Sequence, residues 1–193
     1  MSKYSCYAEL ERNETLGRDY RIRSAERCGS DVLIIAPHGG LIEVGTSEIA
    51  ELVAGADHSL FSFEGLKSRG ANRDLHITSH RFDHPNCLTM AARARLVLSI
   101  HGCLGETRIH IGGLDTDLGQ LLADSLAQAG LPIERASERY PGRHPLNICN
   151  RGARSRGAQL EVTHDLRDSA ASRAAIARAA RSALAASRWL LRD

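Results

Sequence analysis

Aromatic residues are scarce in this chain of 193 residues: one Trp, four Tyr and three Phe, 4% of the sequence. A core with so few rings must be packed from aliphatic and alanine side chains, which the 42% hydrophobic content supplies. Charge of one sign is not in excess either. The formal net charge is +2, too small to mark a nucleic-acid or membrane binder by itself. Lysine occurs only at Lys3 and Lys67, so nearly all the positive charge is arginine. The five cysteines (6, 28, 87, 103 and 149) are scattered, odd in number and form no C-x-x-C pair. That pattern is not a disulfide framework. No apolar run approaches bilayer length, and the opening "MSKYSCYAEL" has no apolar export core. These absences predict a soluble, cytoplasmic protein with no membrane or nucleic-acid partner. With no repeat or Pro-rich linker, one domain over 1–193 is expected.

Apolar runs of strand length lie at 31–36 (DVLIIA), 59–63 (SLFSF), 95–100 (RLVLSI), 107–111 (TRIHI) and 158–162 (AQLEV). Their Val, Ile and Leu content and their Gly or Pro borders suit buried strands. Helical patterns fall between them. "SEIAELVAG", capped by Thr46 or Ser47, ends at Gly55, and "DLGQLLADSLAQAG", capped by Asp115 or Thr116, ends at Gly130. The tail from Asp168 to Asp193 reads as one Ala-rich helix with Ile176, Ala180 and Leu184 on a common face and Trp189 to Leu191 anchoring its end. Alternating strands and helices predict an α/β fold with a mixed, partly parallel sheet. Ligands of such sheets gather at the carboxyl ends of the strands.

That is where the unusual residues fall. His38 and Glu43 flank Gly39-Gly40 in "APHGGLIE", His101 ends "SIHG", and Glu161 sits in "AQLEV". Two imidazoles and one carboxylate are the ligand set of a catalytic zinc site with an open fourth position. His38, Glu43 and His101 are therefore expected to hold one zinc, which would make water nucleophilic near neutral pH. The glycines let the backbone fold so that residues five apart meet. Glu161 has two readings: a general base for the attacking water, or a solvent-facing residue sharing its strand face with Gln159. Cys103 reads as a small packed residue beside the site. Glu64 is either a partner orienting a ligand histidine or part of a surface turn.

In order, "APHGGLIEVGTSEIA", "FSFEG", "DLHITSHRFDHP", "SIHGC", "IGG" and "NRGARSRGAQLEV" resemble the poly-gamma-glutamate hydrolase family over about residues 17–165. The resemblance implies an α/β/α sandwich of zinc carboxypeptidase-like architecture. It aligns His38, Glu43 and His101 with the zinc ligands and Glu161 with the catalytic glutamate. It also implies pocket roles for His76, Ser79 and His80. Asn150-Arg151 is similar to the pair by which carboxypeptidases hold a terminal carboxylate, a task the planar arginine fork suits. Arg154 and Arg156 are either further carboxylate contacts or solvated surface residues. His84 and Val44 depart from the family pattern at positions that touch specificity. The implied reaction is zinc-dependent cleavage of gamma-glutamyl amides, with an anionic glutamyl polymer as substrate. Cleavage of a small N-acyl amino acid or peptide is the enzymatic alternative. A phage replication accessory binding nucleic acid is the alternative from another class.

Overall fold

The computed structural model describes residues 2–68, 70–135 and 137–191. Its framework is a seven-stranded sheet in the order β1-β3-β2-β4-β7-β5-β6. The strands are β1 (Tyr20–Ala25), β2 (Val32–Gly40), β3 (Ser59–Gly65), β4 (Leu96–Cys103), β5 (Ile109–Gly113), β6 (Ile133–Glu134) and β7 (Ala158–Thr163). The four central strands β3, β2, β4 and β7 run parallel, while β1 and β5 are antiparallel to their neighbours β3 and β7. The sheet is mixed and partly parallel, as expected.

Strand alternation sorts the side chains into two cores. One face carries Val32, Ile34, Leu98, Ile100, Leu160 and Val162 against α2 (Thr46–Ala54), α4 (Thr116–Gln128) and α6 (Ala170–Ala186). Full burial of one such aliphatic side chain contributes about 1.5–3 kcal/mol. The other face gathers the few aromatic residues. Tyr7, Tyr20, Phe61, Phe63 and Phe82 pack there with α1 (Tyr7–Asn13) and α3 (Pro85–Arg93). Helices on both faces give the expected α/β/α layers. Among the described residues, no helix is long and apolar enough to cross a membrane.

Several local expectations change. Gly45, not Thr46 or Ser47, is the N-cap of α2, and the Thr46 hydroxyl instead donates to the Glu43 carbonyl at 2.8 Å. Asp115 caps α4 by accepting from the Leu118 N–H at 3.1 Å. The tail is not one helix. It breaks into α5 (His164–Asp168) and α6 because Ser169 caps the second segment, accepting from the Ser172 N–H. Leu190 anchors the tail in the core, whereas Trp189 stays 51% exposed. The last residues of the expected tail helix, 192–193, lie outside the described residues.

Candidate metal and catalytic site

The site forms where β2 leaves the sheet. The β2–β3 register shifts between Ala36 and Gly39, and the chain then turns sharply. Gly40 has φ +60°, and a Cβ there would stand 2.6 Å from the Gly65 carbonyl oxygen. A Cβ on Gly39 would meet the Ser47 hydroxyl at 2.2 Å. Glycine is required at both positions. The Glu43 N–H closes the turn by donating to the His38 carbonyl at 3.0 Å, which brings the Glu43 carboxylate back over His38.

Two donors lie close to His38 Nδ1. His38 Nδ1 lies 3.3 Å from Glu43 Oε1 and 3.3 Å from His101 Nδ1. Ligand atoms about 2.0–2.1 Å from a tetrahedral zinc stand about 3.3 Å apart, so these separations fit the ion. The outer hydrogen bonds agree. His38 Nε2 is 2.7 Å from the Ile77 carbonyl, which only accepts, so Nε2 carries a proton and Nδ1 is the atom turned inward. His101 Nε2 has the Ser99 hydroxyl at 3.1 Å. Glu43 Oε2 accepts from the Gly102 N–H at 2.7 Å, leaving Oε1 for the ion.

Titration follows the same geometry. Burial and the neighbouring His38 charge push His101 down to about 3. Burial also disfavours a charged His38, but the Glu43 carboxylate outweighs it and raises His38 above its ordinary value. Burial would raise Glu43 too, yet the histidines hold it below the usual carboxylate range. Buried nitrogen donors around an ionised carboxylate suit a divalent cation.

His76 stands closer to this centre than a general pocket role implies. Its ring stacks on His38 at 3.9 Å, and Nε2 is 3.6 Å from Glu43 Oε1. The donor atoms of His38, Glu43 and His76 all lie within 4.8 Å of one another. His76 is therefore a second candidate for the third ligand.

Glu161 does not face bulk solvent. Register places His101, Glu161 and His110 side by side on β4, β7 and β5. Residues opposite one another share a face. This polar row lies on the sheet face opposite α2, α4 and α6, under the segment 137–151. Gln159 Nε2 bonds the Tyr140 carbonyl at 3.3 Å and lies 3.4 Å from Glu161 Oε1. Burial and the Glu43 charge push Glu161 well above the ordinary carboxylate value, only partly offset by Arg167.

The remaining candidates separate. The Asn150 amide is committed to the scaffold: Oδ1 accepts from Leu114 and Gly157 N–H, and Nδ2 donates to the Gly142 and His144 carbonyls. Arg151 is half-buried near Cys87 of α3, with no hydrogen bond or ion pair among the described residues. His80 packs against His144 at the rim, with ring centroids 4.9 Å apart. The Ser79 carbonyl ties that rim to Ile148 N–H at 3.1 Å. Arg154 is taken up by Asp115 at 2.8 Å. Glu64 is a buried partner of Arg21 at 2.6 Å, so it is neither a surface turn nor bonded to a ligand histidine. Arg167 was not anticipated. It is buried, donates to the Val162 and Val44 carbonyls, and packs so tightly that a Cβ on Gly102 would stand 2.6 Å from its Cζ. Its sole sequence signal is its place six residues after Glu161.

Comparison with known proteins shows the family and the fold. The sequence profile of the poly-gamma-glutamate hydrolase family matches residues 4–187. The chain belongs to that family. Its relatives include the UPF0714 protein YndL of Bacillus subtilis (strain 168), 39% identical over 86% of this chain and 66% of YndL. The SPbeta prophage-derived UPF0714 protein YoqZ of the same strain is 38% identical over 86% of this chain and 60% of YoqZ. The chain thus spans about two thirds of the length of these curated relatives. A solved bacteriophage poly-gamma-glutamate hydrolase superposes with TM-score 0.91 at 32% identity, covering 98% of this chain and all of that one. A zinc-free apo form of YndL superposes with TM-score 0.87 at 34% identity, covering 97% and 99%. N-formylglutamate amidohydrolase from Ralstonia eutropha JMP134, 13% identical with TM-score 0.58, shares the fold alone.

Proposed function

We propose that this chain hydrolyses gamma-glutamyl amide bonds of a poly-gamma-glutamate-type polymer at a zinc centre held by His38, Glu43 and His101. The observation that carries the proposal is that His38 Nδ1 lies 3.3 Å from both a Glu43 carboxylate oxygen and His101 Nδ1, beside a row that includes the partly buried Glu161. Bound zinc supplies a Lewis acid that polarises the scissile carbonyl and favours attack by water near neutral pH. Glu161 takes a proton from the attacking water and delivers it to the leaving nitrogen. Its raised proton affinity suits that transfer. Gln159 orients the Glu161 carboxyl, and Arg167 limits how far its affinity rises. Arg151, with no hydrogen bond or ion pair among the described residues, binds a substrate carboxylate, with His76, Ser79 and His80 lining the approach. Asn150 serves this site through the backbone it braces.

Poly-gamma-glutamate incubated with the protein should shorten, while an alpha-linked polyglutamate of equal length should not. Arg151→Lys keeps the charge but loses the planar fork, and should slow cleavage with metal content unchanged. Equal cleavage of both polymers would contradict the linkage assignment. Cleavage of small N-acyl amino acids alone would favour the small-amide alternative.

A further inference from the structure

The segment over the catalytic row carries an arginine that no acid neutralises among the described residues. Arg135 is paired with Asp124 at 2.7 Å and Arg154 with Asp115 at 2.8 Å. Arg139, between them in sequence, has no carboxylate partner among the described residues and is exposed. Its guanidinium carbon sits 5.2 Å from the centroid of the Tyr140 ring, within cation–π range. It also reaches the end of β4, since a Cβ on Gly105 would stand 3.4 Å from its Nη1.

Tyr140 is a fixed platform beside the reacting groups. It lies close enough to the Cys103 thiol and to Glu161 to feel the Glu161 charge. Its ring is 5.0 Å from His110, and its carbonyl accepts from Gln159. The next residue is pinned as well, because the Pro141 carbonyl accepts from Gly113 N–H at 2.9 Å. An aromatic seat with no competing carboxylate among the described residues leaves the guanidinium fork open for an anion.

We propose that Arg139, seated on the Tyr140 ring, is a specificity-determining residue that receives the free alpha-carboxylate of the glutamyl unit at the scissile amide. This rests on the hydrolase reading above and adds how the linkage is recognised. In a gamma-linked chain, the carbon bonded to the amide nitrogen carries a free carboxylate. In an alpha-linked chain, the free carboxylate sits at the far end of a side chain. A guanidinium fork seated on Tyr140, in the segment that covers the Glu161 row, distinguishes the two. Tyr140 acts as a positioning residue through Arg139.

The test compares two gamma-linked glutamyl oligomers, one with free alpha-carboxylates and one with alpha-carboxamides. Wild type should favour the carboxylate form. Arg139→Gln should lower kcat/KM on that form by about 10- to 100-fold, the usual weight of a charge-assisted contact. It should leave the carboxamide form nearly unchanged, so the preference collapses with metal content intact. Tyr140→Phe, which keeps the ring, should retain the preference, and Tyr140→Leu should reduce it. A wild-type preference in Arg139→Gln would overturn this inference while leaving the hydrolase reading standing. Failure of wild type to cleave either oligomer would instead overturn the hydrolase reading and this inference with it.

Discussion

Glu161→Gln should lower turnover of a gamma-glutamyl substrate by roughly two to four orders of magnitude, the usual share of general acid–base catalysis. The substitution keeps shape and volume but removes the group that accepts the proton. Glu161 lies between His101 and His110 on the covered sheet face, and Gln159 already provides an amide beside it. A glutamine there finds polar company, so the fold should hold. Metal content should also hold, because the converging donors belong to other residues. A surface strand residue would behave differently, shifting stability by no more than about 0.5 kcal/mol and leaving turnover intact. Intact activity in this variant would remove Glu161 from the mechanism, and joint loss of metal and activity would make it a ligand.

His101→Ala should lose most of the bound metal, whereas His76→Ala should keep enough for near-stoichiometric occupancy. The two histidines compete for the place of third ligand, and their geometry differs. His101 is 1% exposed and turns Nδ1 toward Nδ1 of His38 at 3.3 Å. The His76 side chain is 35% exposed and stacks face to face on His38, with an interplanar angle of 23°. Stacked rings point their in-plane lone pairs side by side, while a shared ion needs them to converge. Loss of an outer partner such as His76 costs about 10- to 100-fold in metal affinity. Loss of one of three ligands costs far more. Elemental analysis of both variants at equal protein concentration decides the matter. Greater metal loss in His76→Ala would move the ligand assignment to His38, Glu43 and His76.

The parts of this fold legible in the sequence are those where one force dominates. β2, β3, β4 and β7 are buried on both faces, and such strands read as continuous apolar runs. β1 escaped because it is an antiparallel edge strand with polar Arg21, Arg23 and Ser24. α3 escaped because "PNCLTMAAR" opens on proline and has few large apolar residues. The split of the tail depends on a single cap at Ser169, a local bond that helical periodicity does not reveal. His38, Glu43, His101 and Glu161 were legible as polar residues where apolar strands run out. Gln159 was legible as sharing the Glu161 face, though read there as facing solvent, while Tyr140 and Arg167 were not recognised as neighbours, since segments distant in sequence bring them in. Arg154 shows the converse: its sequence context suits a substrate contact, yet Asp115 lies within reach in space.

The most direct test of the account measures the chain length of poly-gamma-glutamate after incubation with chelator-treated protein, before and after adding back zinc. If the donors around His38 Nδ1 hold one ion, the stripped protein should leave the polymer intact. About one equivalent of zinc per chain should then restore cleavage, as expected for a single centre. Undiminished cleavage by protein shown to be metal-free would contradict it.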